Sequence, residues 1–318
     1  MTNLPRVSIA VTTKNSSRTL AACLESIRLQ DYPNIQLIVV DNFSEDGTFE
    51  LAKEFTSDVY LGGPERSAQR NKALREIASG EILGYFDSDM VLGPLVVSHA
   101  VNLMKQGSVA VFVEERIMAT GIYGKVRNFE RSAYTGTDVD AVRFFCRDDF
   151  VRVGGFDEGL PPGPEDWDLS LRLGECGHVG TVSSVQFPQE AGPWPLHGIC
   201  RSKGHVPLSA TAVYHDESSS SFLGTLVKKQ YYVDGIEAYK AKWGSQNRSI
   251  YRQLSPKFRL WSVFFSRDRR GDSLRNFHFY LLFLVWKAAL GALIATRSLR
   301  NSVRRRVRKK ASAVEHLR

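Results

Sequence analysis

The sequence predicts a mostly parallel α/β sheet, and three observations carry that expectation. Continuous apolar runs alternate with helix-period stretches from Arg6 to Asp89. The runs are short and nearly free of polar residues, as strands covered on both faces require. Polar clusters stand at the carboxyl ends of three of them, the edge at which open α/β sheets bind ligands.

Each element follows from its residues. Arg6-Val7-Ser8-Ile9-Ala10-Val11-Thr12-Thr13 reads as a buried strand, and Leu20, Cys23, Leu24 and Ile27 then recur at helical spacing behind two candidate N-caps, Ser16 and Ser17. Gln36–Val40 is a second strand closed by Asp41. Asn42-Phe43-Ser44-Glu45-Asp46-Gly47 is rich in turn formers, and a short helix opens at Thr48. A strand near Val59–Leu61, a helix near Ser67–Ala78 and a strand Glu81–Phe86 follow, the last running into Asp87-Ser88-Asp89. Alternation of this kind implies crossover connections between parallel strands.

With 318 residues, 43% hydrophobic and 24% charged, the chain can bury one large core or a core with an appendage. Its four cysteines (Cys23, Cys146, Cys176, Cys200) form no CxxC pair, which argues against a zinc site or a disulfide framework and suits a reducing compartment. Met1–Arg6 lacks the apolar core of a secretory signal. The net charge of +8 is uneven: residues 1–215 hold 20 Lys+Arg against 27 Asp+Glu, and residues 216–318 hold 22 against 7. An acidic body with a basic tail does not fit a nucleic-acid binder. Two units are expected, an α/β domain over 1–217 and a helical, basic region over 218–318.

Asp87 and Asp89 lie one residue apart on a turn after an apolar strand, so both can reach a single hard cation. Mn²⁺ or Mg²⁺ there would bridge a diphosphate and neutralise it as a leaving group. A solvated turn or a helix cap is the plainer account of such a pair alone, and its place after an apolar strand raises the case for a site. Asp41, at the end of its strand, can accept from the imide of a uracil or the donors of a guanine; an Asx turn also explains it. Arg70 and Lys72 stand at the start of a helix where a diphosphate could meet them, or else form its solvated face. Gly163-Pro164 breaks the chain before Glu165-Asp166-Trp167-Asp168, an acidic opening to a helix bearing Leu169, Leu171 and Leu173. Acidic residues suit a helix N-terminus in any case, but a carboxylate held at such a junction can also act as a general base. His215, in Tyr214-His215-Asp216, is a candidate third metal ligand or a structural histidine.

Taken together these runs resemble glycosyltransferase family 2, with its GT-A fold, over roughly residues 5–217. The matching stretches are Ser8–Asn15, Val39–Thr48, Arg70–Ala73, Gly80–Asp89, Val153–Glu158 and Glu165–Leu169. The resemblance implies an inverting, metal-dependent transferase of hexosyltransferase type acting on a UDP- or GDP-sugar. It implies that Thr13, Asn15 and Asp41 hold base and ribose and that Arg70 holds the nucleotide or its phosphates. Asp87 would meet ribose and metal, Asp89 would be the main metal ligand, and His215 a late one. Asp166 would be the catalytic base, with Glu165 beside it binding acceptor or sugar. Thr12-Thr13-Lys14-Asn15 departs from the family's Pro-Thr/Ser-Tyr/Phe-Asn, so the aromatic for base stacking is missing. Gln186–Ser209 matches no family motif.

Phe277–Thr296 is an apolar run interrupted by His278 and Lys287, and Arg297–Arg318 adds nine Lys+Arg against Glu315. An interfacial helix or hairpin, a single membrane span and a soluble core helix all remain open; a central Lys costs a span about 2.5–3.5 kcal/mol. The basic run suits an anionic membrane surface, which points to the cytoplasmic face of the cell membrane, with peripheral or single-segment attachment, and to a polyprenyl- or lipid-linked acceptor. Two rivals stand beside this reading. A nucleotidyltransferase of similar sheet would carry a Gly-rich loop after the first strand, and Thr12–Ser17 has no glycine. A non-catalytic membrane scaffold would not need Asp87, Asp89 and Asp166 together.

Overall fold

The computed structural model describes residues 4–186, 208–225, 233–244 and 247–292. β1 (Val7–Thr13), buried throughout, pairs in parallel with β2 (Ile35–Asp41) on one side and β4 (Ile82–Asp87) on the other. β3 (Val59–Leu61) continues the parallel set beyond β2. Beyond β4 the sheet takes in β8 (Val142–Cys146), antiparallel to both its neighbours, then β6 (Ala110–Phe112) and β9 (Val179–Thr181), which run parallel to each other. The seven strands lie in the order β3-β2-β1-β4-β8-β6-β9. The mostly parallel sheet expected from the sequence is observed, with β8 as the one reversed strand among the described residues. A second sheet of three strands orders β5 (Met90–Leu92), β10 (Val213–Asp216) and β7 (Glu115–Met118).

Both faces of the large sheet are covered, which is why its strands read as unbroken apolar runs. On one face Val7, Ile9 and Val11 pack with Leu20, Leu24 and Ile27 of α1 (Ser17–Arg28) and with Val97 and Val101 of α4 (Val96–Lys105). On the other, Ile38, Leu83 and Tyr85 pack with Leu74, with Phe150 of α6 (Arg147–Arg152), and with Leu169 and Leu173 of α7 (Glu165–Gly174). Each fully buried Leu or Phe contributes about 1.5–3 kcal/mol, so the two layers fix the strand ends. The register sets Thr13 beside Asp41 and Thr12 beside Asp87 at one end of the sheet.

The helix starts differ in detail from the sequence reading. Ser16 occupies the N-cap position of α1, but its hydroxyl makes no capping bond. Asp46, brought alongside by the sheet, accepts from the Ser17 amide at 3.0 Å and from the amide of Thr48, the first residue of α2 (Thr48–Lys53), at 3.1 Å. One carboxylate thus serves two helix N-termini, and its bonds, the Thr48 hydroxyl first, hold its pKa below the usual carboxylate range. The helix expected near Ser67–Ala78 begins as α3 (Arg66–Asn71) and continues in a wider π winding, Lys72–Ile77.

The chain beyond residue 217 packs on the α/β body. Tyr239 of helix Val233–Trp243 and Ile250 of helix Arg248–Leu254 meet Leu160. Residues 277–292 are helical, and Tyr280, Phe283 and Trp286 join Val126, Ala133 and Tyr134 of α5 (Gly121–Tyr134) in one cluster. Lys287, the charge that interrupts the apolar run, is ion-paired with Glu130 of α5. The opposite face leaves Phe277, Leu281, Leu282 and Val285 exposed. Among the described residues no helix is long and apolar enough to cross a membrane. The basic run over 297–318 and most of the unmatched stretch 186–209 lie outside the described residues.

Candidate active site

The polar residues at the ends of β1 and β2 are bound chiefly to one another. Asp41, fully buried, accepts from the hydroxyls of Thr13 and Ser44, each at 2.6 Å, and from the Ser44 amide at 2.8 Å. Asn15 adopts a left-handed φ of 48° while its Oδ1 accepts from the Glu45 amide at 3.0 Å. Lys14, where an aromatic is missing, donates from Nζ to the carbonyls of Asn42 and Phe43 at 2.6 and 2.8 Å. Phe43 itself is exposed at a φ of 51°, a conformation rarely held without support from its surroundings.

Arg70 forms the centre of the site. It has no exposure, and its two terminal nitrogens donate to Asp87 Oδ1 at 2.8 Å and to Asp166 Oδ1 at 2.7 Å. Its guanidinium lies over the rings of Tyr85 and Phe156 at 4.5 and 5.1 Å. Tyr85 also donates to Asp166, at 3.1 Å. Tyr85 and Asp87 share a face of β4 because side chains alternate along a strand. Burial alone would raise the pKa of Asp87, but the Arg70 and Arg143 guanidiniums outweigh it and hold the carboxyl well below the usual range. Glu165 turns inward: its side chain is 1% exposed, 2.5 Å from Arg66 Nε and 3.7 Å from Arg70. Burial and the charge of Asp166 raise its pKa despite those arginines.

The Arg70–Asn71 and Gly154–Phe156 stretches meet for a physical reason. Gly154 and Gly155 both adopt left-handed φ values, 84° and 74°, and a Cβ on Gly155 would stand 2.7 Å from Asn71 Oδ1. That close approach lets Asn71 accept from the Phe156 amide at 2.8 Å and donate to the Phe156 carbonyl at 2.9 Å. The loop so anchored leads into α7 and delivers Asp166 to Arg70.

Asp89 and His215 meet across the second sheet. His215 Nε2 lies 3.3 Å from Asp89 Oδ2, and Nδ1 lies 3.0 Å from Glu115 Oε1. Burial alone would lower the histidine's pKa, but the two carboxylates outweigh it and raise it well above its ordinary value. Asp89 Oδ1 is buried with no hydrogen-bond partner among the described residues. Among the described residues no three of His, Cys, Asp and Glu are grouped closely enough to hold a metal ion, and Asp87 is engaged by Arg70. An orphaned carboxylate oxygen beside an imidazole nitrogen nevertheless fits a hard divalent cation that takes its remaining ligands from phosphates.

Of the residues singled out in the sequence, Asp87, Asp166 and Arg70 come into direct contact; Thr13, Asn15 and Asp41 form a second group, and Asp89 with His215 a third. Tyr85, Arg66, Glu115 and Arg143 were not singled out. Only Tyr85 left a signal, its strand position two residues before Asp87.

A doubly covered sheet with acidic residues at its carboxyl edge is the GT-A architecture. In a solved structure, the mannosyltransferase PcManGT from Pyrobaculum calidifontis in complex with GDP-Man and Mn²⁺, the same fold recurs with a TM-score of 0.55 and 17% identity, over 93% of this chain and 87% of that one. Residues 8–154 match the model described as glycosyl transferase family 2, and this segment belongs to that family. The glycosyltransferase AglE of Haloferax volcanii is 32% identical over 95 residues, 27% of this chain and 31% of the relative. In Escherichia coli, UDP-Glc:alpha-D-GlcNAc-diphosphoundecaprenol beta-1,3-glucosyltransferase WfaP is 27% identical over 129 residues, 37% of this chain and 50% of the relative. The chain thus spans half or less of the length of these two relatives.

Proposed function

We propose that the protein is an inverting glycosyltransferase that moves a sugar from a UDP- or GDP-sugar to a lipid-linked acceptor at a membrane surface. The observation that carries the reading is the buried Arg70, which bonds both the strand-end Asp87 and, 96 residues further along the chain from itself, Asp166. Asp41 and Thr13 hold the nucleoside, with Asn15 shaping the loop. Asp166 accepts the proton of the acceptor hydroxyl as its oxygen bonds to the anomeric carbon. The bond from that carbon to the diphosphate breaks on the opposite face, which inverts the centre. Arg70 and Tyr85 orient Asp166 through their hydrogen bonds to its Oδ1, and Glu165 supports Arg70 from behind. Asp89 and His215 hold Mn²⁺ or Mg²⁺, which supplies charge neutralisation for the diphosphate. The GDP-Man and Mn²⁺ of the Pyrobaculum enzyme and the UDP-Glc of the Escherichia coli relative support the donor class.

The diphosphoundecaprenol-linked acceptor named for the Escherichia coli relative supports a lipid-linked acceptor. The exposed face of Phe277, Leu281, Leu282 and Val285, followed in sequence by the basic run over 297–318, supports peripheral binding to an anionic leaflet on the cytoplasmic side. The unit boundary near 217 stands as part of this proposal, the region beyond it serving the membrane. Thermal-shift screening of UDP- and GDP-sugars with Mn²⁺, followed by NMR of the product anomer, tests the reading. A donor-dependent shift and an inverted product are expected; a retained configuration, or no shift with any donor, overturns it. Sedimentation with anionic vesicles tests the surface, and equal recovery with neutral vesicles at every salt concentration removes it.

A further inference from the structure

A cavity of about 240 Å³ opens beside the site, and Asp166, His215, Arg131, Arg143 and Arg259 are among its lining residues. Carboxylates also line it, and Arg131 lies 3.8 Å from Asp140, but its guanidiniums keep donors that those carboxylates do not use. Arg131 and Arg143 both lean on one oxygen of Glu115, at 2.5 and 3.1 Å, while the other oxygen of that carboxylate faces His215. Arg131 Nε and Arg143 Nη1 are buried with no hydrogen-bond partner among the described residues. Arg259 comes from the chain beyond residue 217. Its guanidinium lies near the rings of Tyr134 and Trp167, at 5.7 and 5.5 Å, and makes no ion pair among the described residues. Buried donors are satisfied in nearly all folded proteins, so two orphans and a free-faced guanidinium around one cavity mark a place for an anion. Guanidinium forks match phosphoryl oxygens, which they engage in pairs.

We propose that this cavity seats a phosphoryl group carried by the acceptor, and that Arg259 is the residue that selects for it. The inference rests on the transferase reading and deepens it. The cavity is lined by Asp166, Asp87 and His215 and not by Thr13 or Asp41, so it adjoins the proton-accepting carboxylate and the metal pair and lies away from the nucleoside loops; the titrations with saturating nucleotide separate an acceptor's phosphoryl group from the donor's own diphosphate. The group is bound, not transferred: it orients an acceptor whose hydroxyl is directed at Asp166. Arg259 also links this selection to the C-terminal region, whose helix presents its exposed apolar face to the surroundings.

Calorimetry on the full chain tests the proposal, using inorganic phosphate, a C15 isoprenyl monophosphate, the diphosphate and the neutral alcohol as probes at fixed ionic strength. Each is titrated with and without saturating UDP or GDP plus Mn²⁺. The phosphorylated lipids are expected to bind at least tenfold more tightly than the alcohol, and to do so with nucleotide present. The stronger of monophosphate and diphosphate identifies the source of the phosphoryl group, and binding of inorganic phosphate alone, with no gain from the lipid, overturns an acceptor role. Arg259→Met should weaken phosphoryl binding at least tenfold while the nucleotide Kd stays unchanged. Arg259→Lys keeps the charge without the fork and should retain part of the affinity even if the Met variant folds poorly. Arg275→Met, an exposed control, should bind like the parent. Displacement of the phosphoryl probe by nucleotide, or parent-like binding by Arg259→Met, overturns the proposal. Because the probes are also titrated without nucleotide, a protein that binds no donor would sink the transferase reading while leaving this result legible.

Discussion

The loops at the ends of β1 and β2 and the arginine-lined cavity beside Asp166 handle their polar groups in opposite ways. In the first, Thr13 donates to Asp41, Asn15 bonds Ser44 and the Glu45 amide, and Asp46 accepts from the Ser17 amide, all from the β1 loop to the β2 loop. In the second, residues from α5, β8, β10 and the chain beyond 217 surround a space in which buried guanidinium donors have no partner among the described residues. A loop cluster that closes on itself is rigid before any ligand arrives. A cavity with leftover donors is completed only by what enters it. The difference assigns shape to the first region and charge recognition to the second.

The largest expected effect would separate chemistry from both regions. Asp89→Ala should abolish turnover and the metal-dependent part of donor binding, read by calorimetry with and without Mn²⁺; metal-dependent binding in the variant would take Asp89 out of the site. Asp166→Asn keeps the shape and loses the base, so turnover should fall by about 10²–10⁴-fold while donor affinity persists. Near-native turnover would leave Asp166 as a helix-opening residue and nothing more.

The next test asks whether the chain beyond 217 is an appendage or a wall of the cavity. Phe283 is fully buried against α5, so Phe283→Ala should cost about 3–5 kcal/mol in urea unfolding. Removing the helix from Phe277 onward would uncover the same cluster, and the remaining domain should unfold with it; an intact, donor-binding truncate would restore the view of a detachable anchor. A smaller effect is expected in acid. Burial would raise the pKa of Glu217, but Arg127, 2.8 Å away, and the hydrogen bonds it donates hold it at about 2. A carboxylate depressed in the fold stabilises above its unfolded pKa of about 4.5 and loses that contribution as pH falls toward 2. Stability of the parent should therefore decline through that window more steeply than stability of Glu217→Gln. The smallest effect sharpens the self-contained side: Asp46→Ala removes caps from two helices and should lower the melting temperature without altering phosphoryl binding in the cavity.

Much of the first region is legible in the sequence. Apolar runs ending in Thr13, Asp41 and Asp87 must form buried strands, because unbroken Val/Ile/Leu stretches have nowhere else to go, and strand ends of a parallel sheet then bring their next residues to one edge. Local sequence also marks the turn at 42–47 and the helix openings. The capping role of Asp46 is not legible there, since it depends on which loops the register sets side by side. Glu165 and Asp166 look alike in the sequence and are separated by the direction each faces at the start of α7: one toward Arg66, the other toward Tyr85 and the cavity.

By itself, then, the sequence determined the parallel strands between Arg6 and Asp87, the helices that alternate with them and the carboxylates at their ends, because burial periodicity and turn chemistry act over a few residues. Only the tertiary structure decided that Arg70 is a buried bracket instead of a surface cation, that Lys287 pairs with Glu130 instead of interrupting a span, and that Arg259 faces the same cavity as Asp166. Those facts join residues that local patterning cannot relate, and a charge takes its role from what stands beside it in a low-dielectric interior.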